Sequence, residues 1–125
     1  MTAVPPAAPA PAPAPGDLVS IQDFARMQMR VARVLDCRDH PNASKLYILD
    51  VDMGPDLGRR QLVAGLKPYM PAEALKGTLV VVVANLEPAL LRGERSDGML
   101  LAAQDGDKVV PITVAAPVAP GSKIR

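Results

Sequence analysis

Cysteine occurs once in this chain of 125 residues, at Cys37, which excludes an internal disulfide framework and a cysteine-ligated zinc site and suits a reducing compartment. In an apolar-alternating stretch such a cysteine reads as a small core residue. Histidine also occurs once, at His40 ahead of Pro41, with no second ligand nearby, so neither a metal site nor a catalytic base is expected and no cofactor is implied. One phenylalanine, two tyrosines and no tryptophan leave few platforms for stacked bases, which counts against generic binding of single strands. A formal net charge of +1 argues against strong non-specific attraction to nucleic acid, so the placement of charge matters more than its sum. The apolar run from Leu79 to Ala84 is too short to span a membrane. Gly93 and Gly98 have the G-x-x-x-x-G spacing of a phosphate loop, but Met99 and Leu100 follow where Lys and Ser or Thr belong, so the match is accidental. No acid/base pair, nucleophile dyad or metal cluster assembles, and an enzyme is the least expected class.

Residues 1–17 form a Pro/Ala-rich segment; its first sixteen residues, MTAVPPAAPAPAPAPG, hold six of the fourteen prolines and no charged side chain. Such a segment is expected to be a disordered, semi-extended tail, because it has little apolar surface to bury. It has neither the basic start nor the uninterrupted apolar core of a signal peptide, and a cytoplasmic protein is expected. Residues 18–125 are expected to be one folded domain.

Ser20, Ile21, Gln22 and Asp23 match the S-x-x-[DE] capping pattern and predict one helical turn through Phe24 and Ala25. From Met27 the period changes to two: Met27, Met29, Val31, Leu35 and Cys37 share one face, interrupted by Arg33, which predicts a first strand. A turn from Asp39 to Ser44 leads to a second strand, Lys45 to Met53, alternating Tyr47, Leu49, Val51 and Met53 against Leu46, Ile48, Asp50 and Asp52. GPDLG is read as a turn into a third strand, Arg59 to Ala64, and Pro71 to Lys76 as a short helix stopped by Gly77. Leu79 to Ala84 and Met99 to Ala103 read as two buried strands, Lys108 to Val114 as a further short strand, and Pro117 to Arg125 as an irregular end. This order predicts an all-β fold: a five-stranded OB-type Greek-key barrel with a short capping helix between strands 3 and 4 and a C-terminal extension from about Gln104.

The stretch Thr78 to Ala103 organises the chain, because its two strands flank a loop holding Asn85, Arg92, Gly93, Ser96 and Gly98. On composition alone that loop is either a binding loop on a rigid scaffold or a solvated hairpin connection. Between Arg26 and Lys45 five basic residues (Arg26, Arg30, Arg33, Arg38, Lys45) face two acidic ones (Asp36, Asp39). That arm either lies along a phosphate backbone or is ordinary solvated charge.

DFARMQMRVARVLDCRDHPNASKLYILDVDMG, followed by VAGLKPYMPAEALKGTLVVVVANLEPALLRGERSDGMLLAA, closely resembles the tRNA-binding domain family. That OB-fold module occurs as a stand-alone bacterial tRNA-binding protein, at the C-terminus of methionyl-tRNA synthetase and in eukaryotic synthetase cofactors. The resemblance spans about Ile21 to Ala103 and rests on HPNASKLY, GLKPY and NLEPALLRGERSDGML. It implies recognition of tRNA shape and backbone near the outer corner of the molecule, without reading the anticodon. By motif, the implied contacts are Lys45 and Arg92 on phosphates, Asn85 and Ser96 on riboses or bases, and Met99 against a base or ribose face. Arg30, Arg33 and Arg38 are secondary electrostatic candidates. The family usually reads DKLY, NLKP and AKLRG, whereas Ser44, Glu87 and Leu90 stand here, so two customary lysines are absent and one position is acidic. The arm from Arg26 to Lys45 must then supply much of the attraction.

The resemblance also implies a homodimer, since stand-alone relatives with a strand-forming extension pair that way, and association with an aminoacyl-tRNA synthetase. The alternative is a peptide-binding, chaperone-like module of the CsaA type, which uses a similar barrel. A third reading is a domain acting in trans on a synthetase, with the Pro/Ala tail as tether.

Overall fold

The structure, a computed structural model, describes residues 15–125. The expected tail, residues 1–17, lies almost wholly outside the described residues; its last three, Pro15–Asp17, make one 3-10 turn. Helix α1 (Ile21–Ala25) starts where the capping pattern places it, with the Ser20 hydroxyl accepting from the Asp23 N–H at 3.0 Å. None of its residues is buried.

Strands β1 (Met29–Asp39) and β2 (Tyr47–Asp52) are antiparallel, and the single helical turn α2 (Gly54–Leu57) connects β2 to β3 (Arg59–Ala64). GPDLG is thus a helical turn between hairpin strands. Helix α3 (Ala72–Leu75) precedes β4 (Leu79–Val83), which returns beside the first half of β1 with Met29 opposite Val83. A hairpin of β5 (Ala89–Leu91) and β6 (Glu94–Ser96) follows, then β7 (Met99–Leu100), β8 (Ala102–Asp105) and β9 (Lys108–Pro111). The main sheet has the order β3-β2-β1-β4-β7. Its two edges meet around β6: Asp97 N–H donates to Gln61 O at 2.9 Å and Val63 N–H to the Ser96 hydroxyl at 3.0 Å. The result is an all-β, nearly closed, OB-like barrel with few short helices, as expected.

Alternation explains the interior. Tyr47, Leu49 and Val51 from β2, with Met53 just past it, meet Leu62 from β3 and Val80 and Val82 from β4. Leu75 of α3 is fully buried and closes the barrel between strands three and four. A four-residue helix is too short to hold itself. Burying one leucine contributes roughly 1.5–3 kcal/mol, so that contact fixes α3 in place.

Three expectations needed correction. In β1 the core face is Ala32, Val34 and Cys37, whereas Leu35 is exposed, because the register with β2 shifts between Val34 and Asp36. A β-bulge at Leu35 inserts one residue and exchanges the faces, which strict period two misses. The expected buried strand Met99 to Ala103 is broken: β7 pairs with β4, the chain turns at Leu101, and β8 pairs with β9, leaving Met99, Ala102 and Ala103 exposed. The expected strand Lys108 to Val114 ends at Pro111: Ile112 N–H still donates to Leu101 O at 2.9 Å, but Leu101 N–H is given to Val81 O on β4, so the ladder with β8 goes no further.

The end from Pro117 is irregular in conformation yet firmly paired. Gly121 N–H donates to Val31 O at 2.7 Å, Val31 N–H to Ser122 O at 2.9 Å, and Ile124 N–H to Met29 O at 3.0 Å. It lies along the edge of β1 that β2 leaves uncovered.

Candidate nucleic-acid interface

Two loops of the barrel are tied together by one side chain. His40 opens the loop between β1 and β2 and is only 4% exposed. Its Nδ1 lies 2.9 Å from the Asn42 N–H and its Nε2 lies 2.8 Å from the Leu91 carbonyl. A backbone N–H can only donate and a carbonyl can only accept, so the ring is the neutral tautomer carrying its proton on Nε2. Asn42 Nδ2 adds a long contact of 3.5 Å to the Arg92 carbonyl. The β5–β6 hairpin is thereby held against the β1–β2 loop, the two loop positions at which barrels of this type bind oligonucleotides.

The tip of that hairpin is Arg92–Gly93, with φ of 54° and 89°. Positive φ at both central residues is the type I′ hairpin turn, for which Asn-Gly is the favoured pair. Arg92 is the one non-glycine residue with positive φ among the described residues. Its side chain is exposed, as is that of Lys45 in the facing loop. Neither has an ion-pair partner within 4.0 Å among the described residues. Two solvated cations therefore stand on a pair of loops that are locked together.

The other sequence-derived candidates sit elsewhere. Asn85, just past β4, accepts from Gln28 N–H at 2.8 Å and donates to Arg26 O at 2.6 Å, so its amide splices β4 to the strand entering from α1. Ser96 is 4% exposed, accepting from Val63 N–H and donating to Gly98 O at 2.9 Å. Its hydroxyl is engaged inside the protein and shapes the turn into Gly98. A Cβ on Gly98 would lie 3.0 Å from Val83 O and 3.1 Å from Leu62 Cδ2, so only glycine lets the chain cross there, and its φ of 146° adds strain for any other residue. Met99 is 47% exposed, opposite Val83 of β4, and lines a shallow cleft with Val63, Ala64 and Leu66.

Among the secondary arginines, Arg30 donates to Gly121 O at 3.0 Å, Arg33 to Gly77 O at 2.9 Å, and Arg38 to Asp50 at 2.8 Å. Carbonyl contacts leave the charge of Arg30 and Arg33 uncompensated, while Asp50 partly neutralises Arg38. The structure thus brings Lys45 and Arg92 onto one end, gathers Asn85 and Met99 around the end of β4, and places Ser96 in the wall between them. His40 is the residue that composition passed over. Its partner is 51 positions away, and the only local sign is a polar ring beside proline in the most motif-rich turn of the chain.

Among the described residues no three His, Cys, Asp or Glu side chains converge to hold a metal ion, and no helix is long and apolar enough to cross a membrane. The arrangement suits contact with a polyanion: exposed cations on two loops that are hydrogen-bonded to each other.

Comparison with known proteins agrees with this geometry. The methionine–tRNA ligase of Thermococcus kodakarensis is 48% identical over 109 residues, covering 87% of this chain but only 14% of the ligase. The structure of a MetRS-related protein from Pyrococcus horikoshii superposes with a TM-score of 0.81 at 33% identity, covering 87% of this chain and 99% of that one. The chaperone CsaA from Bacillus anthracis superposes with a TM-score of 0.78 at 25% identity, covering 86% and 99%. The family model for the tRNA binding domain matches residues 29–123, most of the folded part, and the chain belongs to that family.

Proposed function

We propose that this chain is a non-catalytic tRNA-binding module that grips RNA by its shape and backbone and leaves the anticodon unread. The observation that carries the reading is the His40-locked pair of loops presenting Lys45 and Arg92 without protein partners. Arg92 supports it further. An arginine in a left-handed turn costs about 1 kcal/mol more than the asparagine or glycine that such turns favour, and residues that break a local rule cluster at functional sites. Lys45 and Arg92 contact phosphates, and Met99 packs on a ribose or base. Asn85 and Ser96 position the surfaces that do the binding. Arg30 and Arg33 add a longer-range field.

The likeness to methionine–tRNA ligase and to a MetRS-related protein supports work alongside an aminoacyl-tRNA synthetase in the cytoplasm. A homodimer built through the β8–β9 extension completes the proposal, and sedimentation tests it. Gel shifts with tRNAs that differ only in the anticodon test the main reading: equal shifts support it, and binding that follows the anticodon overturns it.

The likeness to CsaA, together with the exposed side chains of Leu90 and Leu91 on the hairpin, favours peptide binding as the second reading. Pull-downs with and without nuclease separate the two, since only RNA-mediated capture is lost on digestion.

A further inference from the structure

A second cationic feature lies at the other end of β3. That strand runs from Arg59, opposite Asp52, to Ala64, opposite Tyr47 and the loop end. Five steps at about 3.3 Å separate its ends by roughly 17 Å. At the Arg59 end is an open cleft of about 460 Å³ whose walls include Arg59, Arg60, Arg95, Asp97, Leu86 and Pro88. Arg60 is held by two carbonyls, Ala84 O at 2.6 Å and Asp97 O at 3.3 Å. Arg95 uses its Nε on Asp97 at 2.7 Å, and its two terminal nitrogens have no hydrogen-bond partner among the described residues. Arg59 has no partner among the described residues: Asp52, its ladder neighbour, accepts instead from Gly54 N–H at 2.9 Å. Three guanidinium groups thus share an open cleft with one carboxylate, an excess of positive charge that favours an entering anion. Planar forks of this kind match phosphate oxygens, and the flanking Leu86, 44% exposed, and Pro88 offer an apolar wall of a size for a sugar or base.

We propose that this cleft is a second phosphate site, taking one nucleotide of the RNA strand that passes from the Lys45–Arg92 end along β3. The inference rests on the tRNA-binding reading and gives it a second anchor and a direction across the barrel. The phosphate sits between Arg59 and Arg95, with Arg60 as the fixed floor, and the nucleoside lies against Leu86 and Pro88.

Two titrations of the full chain test it. AMP or inorganic phosphate is added at low salt and followed by NMR at the arginine Nε–H groups and the Leu86 amide. Saturable shifts at Arg59, Arg60 and Arg95, lost in Arg59→Glu, are expected, with Leu86 moving for AMP alone. In tRNA binding, Arg59→Ala is expected to reduce the steepness of the salt dependence by about one charge, additively with Arg92→Ala. The Arg59 side chain makes no hydrogen bond within the described residues, so the variant's thermal unfolding should match the parent. The proposal is overturned by absent shifts at these arginines, by an unchanged salt slope in Arg59→Ala where Arg92→Ala lowers it, or by an acidic peptide giving the saturable shifts in place of AMP. Saturable AMP shifts in a chain that fails to bind tRNA would count against the function proposed above while supporting the cleft as a nucleotide-phosphate site.

Discussion

The imidazole of His40 donates from Nε2 to the carbonyl of Leu91 across 2.8 Å, joining two loops that are 51 positions apart in the chain. Its other nitrogen accepts from Asn42 N–H, so one neutral ring satisfies a donor and an acceptor at once. One buried side chain thus ties the two loops at this end of the barrel.

Replacing that ring by a methyl group separates the loops. In His40→Ala the Asn42 N–H and Leu91 carbonyl lose their partners, which costs about 1–3 kcal/mol. Hydrogen exchange at Asn42 should accelerate and tRNA affinity fall, although no contacting cation is removed. Unchanged exchange at Asn42 would show that the loops are held by something else.

Arg92 sets turn geometry against charge. Arg92→Asn should raise stability by about 1 kcal/mol, since asparagine accepts φ of 54° more readily in a type I′ turn, and should weaken tRNA binding together with the salt dependence. Thermal unfolding and binding measured on one sample check this. A variant that both folds better and binds as well would make Arg92 a bystander.

Ser96 is predicted to act through the fold. Ser96→Ala leaves the buried Val63 N–H without an acceptor and should cost about 1–3 kcal/mol. At temperatures where the variant is folded its salt slope for tRNA should equal the parent's. A slope reduced by a full charge would assign Ser96 a direct role instead.

Cys37 is a test of burial. Burial first, and the neighbouring Asp36 carboxylate second, push its thiol from 9.0 up to about 11. The folded thiol keeps its proton longer than the unfolded one, so the stability linked to it is complete below about pH 9 and is lost as pH rises from 9 to 11. At pH 8 the thiol should react with alkylating reagents only as fast as the chain unfolds. Rapid labelling of the folded protein would contradict the buried placement.

Much of the barrel could be read before folding was considered. Tyr47, Leu49, Val51 and Met53 alternate without interruption; the first three are the inner face of β2 and Met53 continues it just past the strand. Ser20 lies three residues before Asp23 and caps α1. Leu35 defeated the same reasoning in β1, because a bulge depends on the partner strand and not on the residue itself. Met99 to Ala103 looks like one strand because apolar letters continue through it, yet its partner changes from β4 to β9 at Leu101. Asn85 shows the limit at the site. A loop amide has the same appearance in sequence whether it faces a ribose or closes on Arg26 and Gln28. Arg92 was legible as a cation on a loop, while Lys45 read as the start of a strand that begins only at Tyr47; that His40 holds the two loops together is a property of the closed barrel alone.

The central claim is that a locked pair of loops binds tRNA by its backbone through Lys45 and Arg92. The most direct measurement is the equilibrium constant for mixed tRNA as a function of salt, for the parent chain and for Lys45→Ala and Arg92→Ala. Binding at low salt should fall steeply as salt rises, with each variant weaker and its slope smaller by about one charge. Absence of binding at low salt, or variants with the parent's affinity and slope, would contradict it.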